Sequence, residues 1–377
     1  MIQRWKILRE LGRVGQQLRA AMSWPVEPFQ KWWHDRNFYR NVTITPGLAA
    51  QSGRYAVFLI YQPLGVVKST LETCRHLAQN GYSVLLVANS ELTPGDRDAL
   101  QTECWKIAER PNFGYDFGGY RDGVRLLNDL RIAPQALVLL NDSIWWPIFA
   151  ADSILARMES AGADVVGTIM HQPTRKRSHL RQPVEFLESY FFWFNQRAAG
   201  SAGFSDFWRK YRVSSIKYNA VHRGERRLSR VMMQSGMKVV GLFTRKALVD
   251  TLSRSDSATI RTTLRYGAFI DAAFKKEADN LLSEVSVDDA WRMRAMTLID
   301  RITVKRGFHS AFAFASLTLL GASFIKKSPG QVNGALPVMR ARVLEAIGEG
   351  VLPPLTPVVL EEMEKRQRDG ASAVGRT

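Results

Sequence analysis

Asn112, Gly114, Asp116, Gly118, Gly119 and Arg121 fall within ten residues of one another, followed by the apolar run Ala136–Leu140 and then Asn141, Asp142 and Ser143. A glycine-rich, Asp-bearing segment, a helix and a buried strand that ends on polar groups are how an α/β fold brings a ligand to the carboxyl edge of its sheet. The four residues Asn112, Gly114, Gly118 and Gly119 predict a loop of positive-φ conformations that lets a ligand approach the backbone closely. Asp116 and Arg121 supply a carboxylate and a cation beside it. Val138, Leu139 and Leu140 read as a fully buried parallel strand, so Asn141–Ser143 lie where that strand surfaces. Oxygen groups at such an edge suit a hard divalent cation held mainly through substrate phosphates; the same three residues also suit a turn bonded to its own backbone.

Strand and helix alternate from Tyr55 onward. Strands are predicted at 55–61, 82–88 and 136–140 and helices at 67–80, 94–103 and 120–130, with 105–108 leading into the Asn112 loop. That alternation implies right-handed βαβ units and a mainly parallel sheet. Residues just after Tyr61, Ala88 and Leu140 then line the site, with Asn89 and Ser90 placed for base or ribose contacts. Further on, 164–169 is a strand ending near His171, and 189–194 a short aromatic strand packing beneath the site. His171 and His179 lie in a basic loop within reach of an acceptor or of phosphate.

The chain has 377 residues, 46% of them hydrophobic, enough to bury a large core. Its formal charge of +17 favours anionic partners. No zinc-finger spacing, basic zipper or RNA-binding aromatic motif accompanies the basic clusters, which argues against nucleic acid. Cys74 and Cys104 show neither metal-ligand spacing nor a disulfide framework, as expected of a reducing compartment. No secretory signal is visible in residues 1–21. Ile7, Leu8, Leu11, Val14, Leu18 and Met22 recur at helical spacing among basic residues, with Trp24, Phe29, Trp32 and Trp33 behind them. Such a helix suits either an anionic membrane surface or packing against the main domain. The run 308–325 is diluted by polar residues and marginal in length for a membrane span, which favours a buried helical hairpin or a membrane-contacting helix.

Asn112-x-Gly114-x-Asp116-Phe117-Gly118-Gly119-Tyr120, Leu140-Asn141-Asp142-Ser143-Ile144, Ser189-Tyr190-Phe191 and Ser323-Phe324-Ile325-Lys326-Lys327 together resemble the rhamnan synthesis protein F family of bacterial polysaccharide glycosyltransferases, over roughly residues 54–330. More distantly, the order of elements is similar to family 2 glycosyltransferases. The resemblance implies a GT-A-like α/β fold: a mainly parallel sheet flanked by helices, with helical N- and C-terminal additions. The expected organisation is a basic amphipathic region at 1–53, a catalytic domain at 54–250, a helical region at 251–369 and a disordered tail at 370–377.

The resemblance further implies transfer of a sugar, with rhamnose suggested, from a nucleotide-sugar donor to a lipid-linked oligosaccharide. The reaction would be inverting and assisted by Mg²⁺ or Mn²⁺, at the cytoplasmic face of the membrane. Donor contacts are expected from Asn89, Asn112, Gly114, Asp116, Gly118, Gly119, Arg121, Asn141, Asp142 and Ser143, and acceptor contacts from His171, Ser189 and Tyr190. Asp142 is the expected metal ligand, although Asn141–Ser143 departs from the relatives' Asp-x-Asp pattern by offering a single carboxylate. Leu228, Val231 and Met232 share a helical face closed by Gly236, which puts Glu225 in a first helical turn. The related transferases carry their catalytic base at such a place. A carboxylate is needed to take the acceptor's hydroxyl proton, and a helix N-terminus keeps it ionised. A Glu225 that merely stabilises its helix fits the same residues. Other readings of the chain are a non-catalytic nucleotide- or carbohydrate-binding subunit and a basic membrane-peripheral scaffold.

Overall fold

A computed structural model describes residues 22–172, 185–327 and 334–374. The basic stretch that ends near Met22 and the loop carrying His179 lie outside the described residues. The chain divides into two compact units: 1–142, 161–167 and 182–240 form the first, and 143–160, 168–181 and 241–377 the second.

The first unit is built on a sheet of β1 (Thr43–Pro46), β2 (Arg54–Ile60), β3 (Tyr82–Ala88), β4 (Lys106–Glu109) and β5 (Ala136–Asn141), joined by the first residues of β7 (Val165–His171), by β8 (Phe186–Leu187) and β9 (Phe191–Asn195), and by the first residues of β10 (Val239–Phe243). Strand order is β1-β4-β3-β2-β5-β9-β7-β10, with β8 beside β7. The central four, β4-β3-β2-β5, are mutually parallel, while β1 and β9 join antiparallel on either side. Every residue of β3 and β5 is buried, as a parallel sheet covered on both faces requires. The chain steps outward from β2 to β3 and β4, then returns to the other side of β2 as β5. This reversal makes the carboxyl ends of β2 and β5 the switch point.

Helices carry these crossovers. An early helix, α1 (Glu27–Arg36), precedes the sheet, and α2 (Lys68–Gln79) and α3 (Pro94–Glu103) follow β2 and β3. The start of α3 is fixed by Pro94 in its first turn and by the Thr93 hydroxyl, which accepts from the Asp96 N–H at 3.1 Å. The fourth helix, α4 (Tyr115–Asp129), begins five residues earlier than its sequence suggests, so Gly118 and Gly119 belong to a helix and not to a loop. Only Gly114 (φ 85°) and Tyr115 (φ 51°) take positive φ in this segment. Gly118 and Gly119 serve close packing: a Cβ would meet Phe113 O at 2.1 Å at the first and Leu59 Cδ1 at 2.3 Å at the second. Gly123, one turn on, meets Val57 in the same way at 2.4 Å, so α4 lies against β2 along a glycine face.

In the second unit the short strands β6 (Ile144–Trp145) and β11 (Ile325–Lys326) pair antiparallel, and Lys327 N–H donates to Ser143 O at 2.7 Å. Two motifs far apart in sequence thereby meet. Four helices here, 245–254, 257–265, 272–283 and 289–305, start on Thr244, Asp256, Asp271 and Asp288, whose side chains cap the first turn. The run 308–325 is two short helices, Phe308–Ala311 and Ala313–Thr318, followed by a loop and β11. Among the described residues no helix is long and apolar enough to cross a membrane. The final helix, Pro357–Val374, reaches into the segment expected to be a tail.

Candidate active site

At the switch point Asp142 follows directly on β5. Its Oδ2 accepts from the Tyr61 backbone N–H at 3.1 Å and from Gln62 Nε2 at 2.9 Å, so the end of β2 holds the carboxylate that emerges from β5. Gln62 in turn is fixed by Thr70 at 2.8 Å and by the Val67 N–H at 3.0 Å. Asp116 reaches the same place from the first turn of α4. Asp116 is solvent-exposed by area, although protein packed around its carboxyl desolvates it. That crowding, together with the negative charge of Asp142, pushes its carboxyl up to about 6, with Lys217 opposing.

Tyr120 sits one helical turn beyond Asp116, fully buried, and its hydroxyl donates to Ser189 O at 2.9 Å. Burial drives the phenol well above its ordinary range, and Asp116, Asp142 and Glu225 all add to that shift. Three carboxylates from three elements thus act on one buried phenol. Glu225 Oε1 accepts from the Ser189 N–H at 2.8 Å, and Asn141 N–H donates to Tyr190 O at 3.1 Å, which ties the 189–190 backbone to both Glu225 and β5.

Glu225 does not open a helix. Lys217–Ala220, a π-helical turn at Val221–Glu225, and α5 (Arg226–Gln234) follow one another without a break, and Glu225 itself has helical φ/ψ of −53° and −55°. The expected dipole support therefore belongs to Lys217, eight residues earlier. Gly224, just before Glu225, is required by the Phe117 ring, 2.4 Å from where its Cβ would be. Wide turns inserted in a helix commonly occur at functional sites, because they re-aim one side chain without ending the element.

Other expected residues are placed elsewhere. Asn89 is buried and its Oδ1 accepts from Arg110 Nη1. Arg121 turns toward α1, where it meets Asp35 at 2.8 Å. Both belong to a buried charge network in which Asp122 Oδ2 receives Arg110 Nε at 2.7 Å and stands 2.8 Å from His34 Nε2. Burial alone would raise the Asp122 carboxyl, but His34, Arg110 and Arg121 hold it below its ordinary value. Asn112 is exposed in the turn before Gly114, and Ser143 and His171 fall in the second unit. Asp116, Asn141, Asp142, Ser189, Tyr190 and Glu225 are brought together. Sequence reasoning missed the roles of Tyr120, Gln62 and Lys217. For Tyr120 the signal was its i+4 spacing from Asp116, visible only once the helix is known to start at Tyr115.

The rhamnan synthesis protein F model matches residues 84–267, a span that runs from β3 through the Asp116, Asp142 and Glu225 elements. The uncharacterized protein y4gN of Sinorhizobium fredii is 31% identical over 268 residues, covering 71% of this chain and 68% of that protein. The chain belongs to the rhamnan synthesis protein F family. Among solved structures, a mannosyltransferase from Pyrobaculum calidifontis in complex with GDP-mannose and Mn²⁺ aligns over 95% of this chain and 96% of its own. With a TM-score of 0.31 and 11% identity, that likeness carries no weight for the chemistry of this family member.

Proposed function

We propose that the protein is a GT-A-like glycosyltransferase that moves a sugar, with rhamnose the one its family suggests, from a nucleotide diphosphate donor to a lipid-linked oligosaccharide. It would act at the cytoplasmic face of the membrane in cell-surface polysaccharide synthesis. The observation that carries the reading is the meeting of Asp142, Asp116 and Glu225 around Tyr120 at the β2/β5 switch point. Membership of the rhamnan synthesis protein F family supports it.

In this reading the donor diphosphate lies over the carboxyl ends of β2 and β5. Asp142 and Asp116 are two carboxylates from different elements, and their mutual repulsion suits them to a divalent cation. No group of three or more acidic, His or Cys side chains able to hold a metal is present among the described residues. Diphosphate oxygens and water would therefore complete the coordination, the usual manner for Mg²⁺. Such an ion would neutralise charge on the leaving diphosphate. Lys217, exposed beside Asp116, adds a further cation for it. Glu225 takes the proton of the acceptor hydroxyl as that oxygen bonds to the anomeric carbon and the sugar–phosphate bond breaks, releasing the nucleoside diphosphate with inversion. Ser189 N–H orients the Glu225 carboxylate.

The test is a panel of nucleotide sugars with Mn²⁺ or Mg²⁺, read by thermal stabilisation and by release of nucleoside diphosphate in the presence of membrane extract. Stabilisation by one donor together with product release is expected. Binding without turnover for every donor would replace the transferase with a nucleotide-binding subunit.

A further inference from the structure

Beside this site the first unit holds a pocket of about 220 Å³ lined by Lys210, Tyr211, Arg212, Arg223 and Arg227 together with the paired acid Asp206. Its cations are built in. Glu27, 1% exposed on α1, receives Arg223 Nη1 at 2.6 Å and stands 3.2 Å from Arg212 Nε, so one buried carboxylate pairs with two guanidiniums at the rim. One charge against two leaves the rim positive. Tyr211 is only 3% exposed, and neither its hydroxyl nor Arg223 Nη2 has a hydrogen-bond partner among the described residues. Buried donors of this kind are costly unless an acceptor arrives.

The pocket's neighbour is apolar. Arg212 and Arg223 stand over the Trp24 ring at 5.7 and 5.6 Å, and Trp24 is 55% exposed. Along α1, Phe29, Trp32 and Trp33 project at helical spacing and are also more than half exposed. A run of exposed aromatics is uncommon on a protein surface that faces only water. Indole rings beside guanidiniums match the boundary of a bilayer, with rings at headgroup level and cations on the phosphates.

We propose that this pocket binds the phosphate of an anionic phospholipid headgroup while Trp24, Phe29, Trp32 and Trp33 enter the membrane interface. The proposal gives a site to the membrane-surface part of the reading above and does not depend on the transfer chemistry. A soluble protein site for free phosphate would need the cations but not the rings; both are present, and they touch.

Flotation of the full-length chain with vesicles of phosphatidylcholine, alone or with phosphatidylglycerol, tests this. Wild type should prefer the anionic vesicles. Lys210→Ala/Arg227→Ala, which leaves the Glu27 pairs intact, should lose that preference by about tenfold or more. Lys68→Ala/Arg75→Ala removes the same charge from α2 and should change it little. Trp32→Ser/Trp33→Ser should weaken binding to both vesicle types. Equal losses in the two charge-removal variants would overturn the proposal in favour of diffuse attraction. Calorimetry with inorganic pyrophosphate separates the sources: binding as tight as to anionic vesicles, and unaffected by Trp32→Ser/Trp33→Ser, would make this a soluble-phosphate site and also overturn it. Donor turnover is read separately, so failure here leaves the transferase reading standing.

Discussion

Asp116 and Asp122 stand six residues apart on one helix, the first exposed and the second buried, and their carboxyls move in opposite directions. Asp122 is met by Arg110, His34 and Arg121, and these partners outweigh the cost of burial. Asp116 faces another carboxylate and a single lysine, and crowding prevails. The contrast separates a charge that serves the fold from one whose compensation is left to something outside it. Charges that neutralise one another have their role within the protein, whereas under the proposed function a ligand would supply what the carboxylates at the switch point lack.

The largest effect should come from the switch-point carboxylates. Glu225→Gln keeps shape and hydrogen bonding but removes the base, and a loss of roughly 10²–10⁴-fold in transfer rate is expected with donor affinity nearly unchanged. Transfer rate and melting temperature measured on one preparation check this; a well-folded variant with full activity removes Glu225 from catalysis. Among the neutralised charges, Asp122→Asn leaves Arg110, almost wholly buried, short of its counter-charge. A loss of about 3–5 kcal/mol in urea denaturation is expected, typical of a broken buried pair. Loss of activity without loss of stability would mean that Asp122 belongs to the site after all.

Gly119→Ala probes the contact that carries both carboxylates. Its methyl would press on Leu59 and should cost about 1–3 kcal/mol, since overpacking a tight contact forces the backbone to shift. Denaturation midpoints at constant slope report it.

The smallest effect has the opposite sign. Asp116 has a folded-state carboxyl near 6, above its unfolded value, so the folded chain binds its proton more tightly. Ionisation then opposes folding: the penalty is absent below about pH 4, the ordinary Asp range, and grows as pH rises toward 6. Asp116→Asn should raise the melting temperature at pH 7.5 and leave it little changed at pH 4, while weakening metal-dependent donor binding. Asp142→Asn should draw the Asp116 titration back toward its ordinary range, which carboxyl ¹³C shifts would follow. A titration that does not move would mean that crowding alone accounts for the shift.

Much of the frame was legible. The strands at 82–88 and 136–141 and the helix at 94–103 coincide with their hydrophobic runs and caps, because apolar continuity and Pro94 are local signals. The site's most telling errors came from glycine. Gly118 and Gly119 read as loop, and Gly224 carried no reading, since glycine's backbone freedom is the only property a sequence shows directly. Here each is needed for what lies opposite, Phe113, Leu59 and Phe117, and those neighbours are set by tertiary packing. Asp142 was legible as the end of a buried strand. That Asp116 shares its sheet edge was legible too; that Asp116 reaches it from the first turn of a helix and not from a loop was not, because α4 starts at Tyr115 only once its glycines are packed along β2.

That arrangement has a mechanical consequence. Leu59 and Val57 of β2 bear on α4 through Gly119 and Gly123, and the residues just past the same strand, Tyr61 and Gln62, grip Asp142. Both carboxylates are gauged from one strand, like the jaws of a caliper fixed to a common bar. Their opening is consequently a dimension of the sheet and not of a loop, and under the proposed function the radius of the ion between them would be set by how closely one helix can lie on one strand.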